Sequence, residues 1–379
     1  MRKISRIRSS AAGAAILLLC LVVVGCGGFF VPTCQETNSC GGGGGSTTYS
    51  SFAYVANASI GTVELIPFPT ATFTSLSGTS YTLGATPSAI AATPKGTFLY
   101  VATLQGSVVV YSIGTNGALT LGNGGAAVAS TLNPIWMKVD PSGNWLFLIS
   151  SSISTLFEYQ INTSTGALSQ VGTGIALDSG TPTQVYVTPN DQNVYVALSG
   201  GGVDTFSFNS SSGALSNHGH LSPRAGGDNA ITADNNSAFL FVGEAGTGIR
   251  VFTIGTNASL SEISGSPFAS QLGPKSIVVD PTNSYVYVAN QTANVITGYS
   301  LGSNGTLTPL STSPFATGSL PIALSLDSTG TYLLLINSGG GPDLQVFSFD
   351  ATTGGELDSV TSGNTGTDPA GAISLAVVP

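Results

Sequence analysis

Residues 285–296 read YVYVANQTANVI. The first six are apolar on both faces, rich in β-branched and aromatic side chains, and stop at Asn290 before a small polar turn. That pattern predicts a short strand buried on both sides rather than a helix. The phrase recurs as FAYVAN at Phe52, FLYVAT at Phe98, WLFLIS at Trp145, NVYVAL at Asn193, FLFVGE at Phe239 and YLLLIN at Tyr332. The third position of each copy falls at Tyr54, Tyr100, Phe147, Tyr195, Phe241, Tyr287 and Leu334, at spacings of 46, 47, 48, 46, 46 and 47.

A second phrase precedes every copy but the first: a proline, an apolar trio, then a turn. It reads PSAIAATPKG from Pro87, PIWMKVDPSG from Pro134, PTQVYVTPND from Pro182, PKSIVVDPTN from Pro274 and PIALSLDSTG from Pro321, with DNAITADNNS from Asp228 a weaker copy. Asp-Pro-x-Gly is turn chemistry, so the two phrases form a hairpin and Asp140, Asp280 and Asp327 cap its turns. A third strand follows, as in SVVVYSI at Ser107 or GIRVFTI at Gly248, then a turn and a more polar fourth strand. Four short strands in each repeat of this length predict an all-β, seven-bladed β-propeller of four-stranded antiparallel blades. The domain opens on FAYVAN, a second strand lacking its first, and ends on ISLAVVP, a first strand lacking its second. The C-terminal inner strand is therefore expected to join the N-terminal blade and close the ring, removing exposed edges and favouring a monomer.

Ahead of the propeller, MRKISRIRSSAAGAAILLLCLVVVGC has basic residues, an apolar run from Ala11 to Val24 and a small residue before Cys26. Residues 1–25 read as a secretory signal, and Val23-Val24-Gly25-Cys26 resembles a bacterial lipobox, with Cys26 the lipidated residue. An ordinary signal peptide or an uncleaved membrane helix is the alternative. Residues 26–50 read as a tether containing a GGGGGS stretch, in which Cys34 and Cys40 are either a local disulfide or two free thiols. The propeller then occupies 51–379. The expected location is the cell envelope, outside the cytoplasm, with the membrane reached through the lipid.

The whole chain carries nine basic and eighteen acidic residues, and losing the four basic residues of the leader takes its net charge from −9 to about −13. No basic patch exists, which excludes phosphate-backbone binding, so nucleic acid is not an expected partner.

The YVAN core, the TGAL turn at Thr165, SGAL at Ser212, SPF at Ser266 and Ser313, and the Pro-x-x-Ile-x-x-Asp-Pro phrase together resemble the YVTN-repeat and lactonase-type propellers, 6-phosphogluconolactonase and carboxymuconate cyclase among them. The resemblance spans 51–379 and implies a lactone-opening activity at the channel mouth. It places Lys275, Ser276 and Gln291 where that family holds an arginine, a histidine and a glutamate. Arg224 and Glu244, in SPRAGGDNAITADNNSAFLFVGE, fall out of register with the strand anchors.

Loops at the start of the first strand and the end of the second are expected on one rim of the channel. They are rich in Gly, Ser and Asn, with Arg224, Asp228, Glu244, Lys275 and Asp343 as charged exceptions. These exceptions, Gln291, and Trp136 at a strand entrance are the ligand-binding candidates for a small polar or carbohydrate ligand. His218 and His220 in SNHGHL would share one face of an outer strand, a spacing metals accept, but no third ligand has a sequence address and no metal or cofactor is expected. Glycine clusters such as Gly200–Gly202 lack the Lys-Ser/Thr ending and helix of a phosphate loop. The expected function is a lipid-anchored binding or interaction scaffold for a protein or small ligand; the alternative is a lactonase-like hydrolase or cyclase using Arg224, Glu244 and Lys275.

Overall fold

The computed structural model describes residues 48–69, 76, 78–123, 128–129, 133–223, 227–246, 248–350, 354–364 and 371–379. The signal, Cys26, Cys34, Cys40 and Arg224 lie outside the described residues. Seven antiparallel sheets form the blades, and the described helical content is one short 3-10 turn at Thr256–Ala258. Blade 1 consists of Ala372–Val378, Tyr49–Asn57, Thr62–Pro69 and Thr79–Thr82, so the last strand of the chain completes the first sheet. Its pairing matches Phe52 with Val378, Tyr54 with Ala376 and Asn57 with Ala372. Blades 2 to 7 begin with inner strands Pro87–Ala92, Pro134–Val139, Thr181–Val187, Asp228–Ala233, Pro274–Val279 and Pro321–Leu326, each followed outward by three more strands in sequence order. In blades 2 and 6 a two-residue strand, Val128–Ala129 or Phe315–Ala316, also pairs with the third strand.

Two-sided apolar strands follow from how the blades stack. Each of seven buried clusters draws on two adjacent blades: Tyr54 and Leu65 of blade 1 meet Leu99 and Val101 of blade 2, and Tyr287 and Ala289 of blade 6 meet Leu333 and Leu335 of blade 7. Alternate residues of YVAN thus serve opposite neighbours, and no face is left for water. The fourth strands are the wet ones, as in the largely exposed Leu168–Ala176 and Ala214–Leu221.

Aspartates at the inner hairpin cap it, as the sequence suggested. Asp280 Oδ1 accepts the peptide N–H groups of Ser284 and Tyr285 at 2.7 and 2.6 Å, and Asp140 Oδ1 those of Asn144 and Trp145 at 2.9 and 2.8 Å. Asp234, in the weaker copy, does the same for Ala238 and Phe239.

Neighbouring blades are also latched in one direction around the ring. The tyrosine at the third position of the repeat donates its hydroxyl to a carbonyl in the outer hairpin of the next blade: Tyr54 to Gly117 at 2.7 Å, Tyr100 to Gly166 at 3.1 Å, Tyr195 to Ala258 at 3.4 Å and Tyr287 to Gly355 at 2.7 Å. In blade 3, where Phe147 has no hydroxyl, Trp145 Nε1 donates to Ser210 O at 2.7 Å instead.

Candidate functional site: the rim of the ring

All seven inner strands carry a β-bulge at their rim end. Near the start of each inner pairing the register slips by one, between the first and third residues in six blades and the second and fourth in blade 4, leaving Ser88, Ile135, Thr183, Asn229, Lys275, Ile322 and Ile373 as extra residues. Five of these follow a proline (Pro87, Pro134, Pro182, Pro274, Pro321), whose missing N–H cannot serve the ladder, so regular pairing resumes one residue later. Bulges re-aim side chains. Here the seven bulged residues are all half-buried while the residue before each is buried. Four of the seven are polar, Ser88 on blade 2 and Thr183, Asn229 and Lys275 on the adjacent blades 4, 5 and 6.

Between blades 5 and 6 this arc borders a cleft of about 330 Å³ lined by Asn229, Ala245, Leu272, Gly273, Lys275, Gln291 and Thr292. Burial pulls the Lys275 ammonium below the usual lysine range. Gln291 is fixed through its N–H to Gly273 O at 2.7 Å. The Lys275 bulge is held from two blades away: Gln184 of blade 4 donates Nε2 to Lys275 O at 3.0 Å and accepts from Ile231 N of blade 5 at 2.9 Å. A cleft lined by an ammonium and two amides can bind and polarise a carbonyl or carboxylate oxygen.

Behind the cleft lies a fully buried carboxyl pair. Asp228 and Glu244 are register partners at the rim end of blade 5, both with 0% exposure. Arg250 Nη1 reaches Glu244 Oε1 at 3.2 Å, its Nη2 reaches Glu262 Oε2 at 3.1 Å, and its guanidinium lies 4.6 Å from the Phe252 ring centroid. Neither oxygen of Asp228 meets a hydrogen-bond donor among the described residues. It faces Glu244, and two carboxyls in contact form a hydrogen bond only when one is protonated. Burial first, then the Glu244 charge, pushes Asp228 up to about 7, against the opposing pull of Arg250 and His220.

The sign of the consequence is fixed. A carboxyl whose folded pKa is raised contributes stability below its unfolded value near 4, and that contribution is lost as pH rises through about 7. Glu158, pushed to about 7, and Asp191, pushed to about 6, act in the same direction. The thermal midpoint should therefore fall as pH rises from 5 to 8, and Asp228→Asn should flatten that slope and be the more stable form at pH 8. Parallel midpoint profiles for wild type and variant would rule out the shared-proton pair.

His218 and His220 do not share a face. A bulge between Thr205 and Phe206 separates their partners, and Gly219 takes φ +128° between them. His218 Nε2 contacts Ser207 Oγ at 2.7 Å, whereas His220 Nδ1 contacts Asp204 Oδ1 at 2.7 Å and Asp178 Oδ2 at 3.5 Å. Ser207 and Asp204 lie an odd number of residues apart and so on opposite faces of the blade. The third member that the sequence did not supply comes from the connector between blades 3 and 4. Asp178, Asp204 and His220 place ligating atoms within 4.8 Å of one another, a set able to accept a divalent cation.

The structure thus redistributes the predicted rim residues. Lys275 and Gln291 do line one cleft. Asp228, Glu244 and Asp343 are not solvent-facing rim charges: each has 0% exposure, and Glu244 is engaged by Arg250 of its own blade. Glu244 turns to Arg250, on the side of blade 4, rather than into the cleft with Lys275. Trp136 lies in the channel wall, half-buried and packed on the cluster between blades 3 and 4. Sequence reasoning passed over Arg250 and Lys138. Both are cations inside apolar strands of a chain with only nine basic residues, and that rarity was the available signal. Asp204 had its register with His220 across the outer hairpin, whereas Asp178 had none, since it sits on the connector of the preceding repeat.

A closed seven-bladed ring with a bulged rim and a polar cleft at the channel mouth defines a propeller of the lactonase type. The chain belongs to the family described as lactonase, 7-bladed β-propeller, whose profile matches residues 47–185 and 258–369. No curated protein matches it. Among solved structures it is similar to a candidate 6-phosphogluconolactonase from Bacteroides fragilis, at 18% identity over 89% of this chain and 100% of that one, TM-score 0.71. It is similar also to the periplasmic gluconolactonase PpgL of Pseudomonas aeruginosa, at 16% identity over 87% and 99%, TM-score 0.66. Hydrazine synthase of Kuenenia stuttgartiensis shares the architecture at 17% identity over 78% and 91%, TM-score 0.57. At these identities the likeness speaks to the fold, which hosts unrelated chemistries.

Proposed function

We propose that this protein is a lactone hydrolase acting at the rim cleft between blades 5 and 6. The observation that carries the reading is the convergence of Lys275, Asn229 and Gln291 on one cleft, two of them aimed there by the repeated bulge. A lactone carbonyl held by the ammonium and the amides develops its negative charge where donors already stand, and water completes ring opening to a hydroxy acid. Family membership and the gluconolactonase neighbours support the same class of substrate. In a panel of sugar and aromatic lactones, at least one should be hydrolysed above the uncatalysed rate, with kcat/KM lowered about 100-fold in Lys275→Ala, the loss typical of one oxyanion donor. Turnover unchanged by that substitution would remove the cleft from the reaction.

A second reading has its own observation. Ser276 stands where the family resemblance expects a histidine, and its hydroxyl is committed to the peptide N–H of Leu324 at 3.0 Å. Binding without turnover, in a scaffold role, fits that substitution. In either case we place the protein in the cell envelope, held by lipid on Cys26. The periplasmic neighbour supports that location. Cys26→Ser should release the protein from the membrane fraction, and a variant still sedimenting with membranes would refute the anchor.

A further inference from the structure

The central channel holds a second cavity, of about 460 Å³, running from mid-strand to the hairpin face, where Thr93, Pro94 and Asn235 border it. Inner-strand residues of all seven blades form its wall. Among the described residues that line it, Lys138 is the one charged side chain, and no carboxylate accompanies it. This is unusual ground for a chain with eighteen acidic residues and a net charge of −9. The ammonium is open to the channel yet enclosed by protein, and burial pulls it below the usual lysine range.

Its neighbours are aromatic. Trp136 and Lys138 are two residues apart on one strand and therefore project to the same side. Lys138 Nζ sits 5.6 Å from the ring centroid of Tyr186 on blade 4. The indole is fixed by packing against the cluster between blades 3 and 4. An unpaired cation in a channel walled by protein concentrates anions, and the nearby rings of Tyr186 and Trp136 favour a flat ligand. The volume falls in the range of single-ligand pockets.

We propose that the channel binds a small aromatic carboxylate, whose carboxylate pairs with Lys138 while Trp136 and Tyr186 flank its ring. This site shares no lining residue with the cleft between blades 5 and 6, so it stands or falls apart from lactone hydrolysis.

The chain has two tryptophans, and Trp145 is buried between blades with its indole N–H bonded to Ser210 O. Quenching by a channel ligand therefore reports Trp136. Titration of the full chain with 4-hydroxybenzoate should give saturable quenching. The apparent affinity should be at least tenfold weaker in Lys138→Met and, on the wild type, for the neutral analogue 4-hydroxybenzamide. The amide comparison keeps the test decisive should the substitution fail to fold. Absence of saturable quenching to 20 mM, equal affinity for acid and amide, or tighter binding of gluconate or inorganic phosphate than of the aromatic acid would each overturn the proposal.

Discussion

Deleting Ala372–Pro379 should abolish the cooperative unfolding transition and convert the protein from a monodisperse to a self-associating species. The segment supplies the inner strand of blade 1, pairs with Phe52–Asn57 and buries Ala372, Ala376 and Val378. It also bridges onward, since Ser374 Oγ accepts the peptide N–H of Ile90 in blade 2 at 3.1 Å. Without it, Tyr49–Asn57 presents an unpaired edge to the channel, and the clusters that blade 1 shares with blades 2 and 7 open to water. Net stabilities are about 5–15 kcal/mol, and the loss here is of that whole order. Size-exclusion chromatography and a thermal melt read the outcome, and a synthetic peptide of residues 371–379 added in trans should restore both. A truncated chain that stays monomeric with an unchanged melt would show that the ring does not depend on this closure.

The second large effect is expected at Gly213, in the outer hairpin of blade 4. Its φ is +76°, and a Cβ built there would lie 2.3 Å from Trp145 Cη2 and 2.7 Å from Glu158 Oε1. Gly213→Val therefore combines a left-handed backbone that a β-branched residue resists with a collision against a buried indole. About 1–2 kcal/mol comes from the backbone and 1–3 kcal/mol from overpacking, roughly 3 kcal/mol in all. The same packing recurs where Gly117 meets Phe52 and Gly166 meets Phe98, so the cost belongs to the latch between blades rather than to one loop. Denaturant unfolding should show the midpoint displaced with little change in slope. A variant within 1 kcal/mol of the wild type would mean that the hairpin moves aside freely.

Much of the architecture could be read in the sequence because the repeat states it directly. Copies of YVYVAN mark second strands, Asp-Pro turns mark inner hairpins, and the incomplete units at Phe52 and Ile373 mark the closure. The rim was less legible. Pro-Lys at 274–275 and Asp-Asn at 228–229 look like ordinary strand starts, and only pairing partners on the second strand reveal that Lys275 and Asn229 are the extra residues. Reading the rim as a ring of solvated charges failed at Asp228, Glu244 and Asp343, all fully buried: Asp228 and Glu244 pair with each other across the ladder and Glu244 meets Arg250 from the third strand, contacts that no local pattern describes. His220 shows the same limit. Asp204 is the direct register partner of His220 on the adjacent strand and could be inferred from that pairing, but Asp178 arrives from a connector of the preceding repeat.

The position of Tyr49–Asn57 has a mechanical consequence. This first strand is not at an edge: it lies between Thr62–Pro69 and Ala372–Val378, antiparallel to both. A pull applied through the residues that precede it acts along the strand axis and loads two ladders of hydrogen bonds in shear, all at once, whereas an edge strand could be unzipped one bond at a time. A ring closed in this way can be hung from its first strand, and its most heavily loaded sheet is the one that the far end of the chain reinforces.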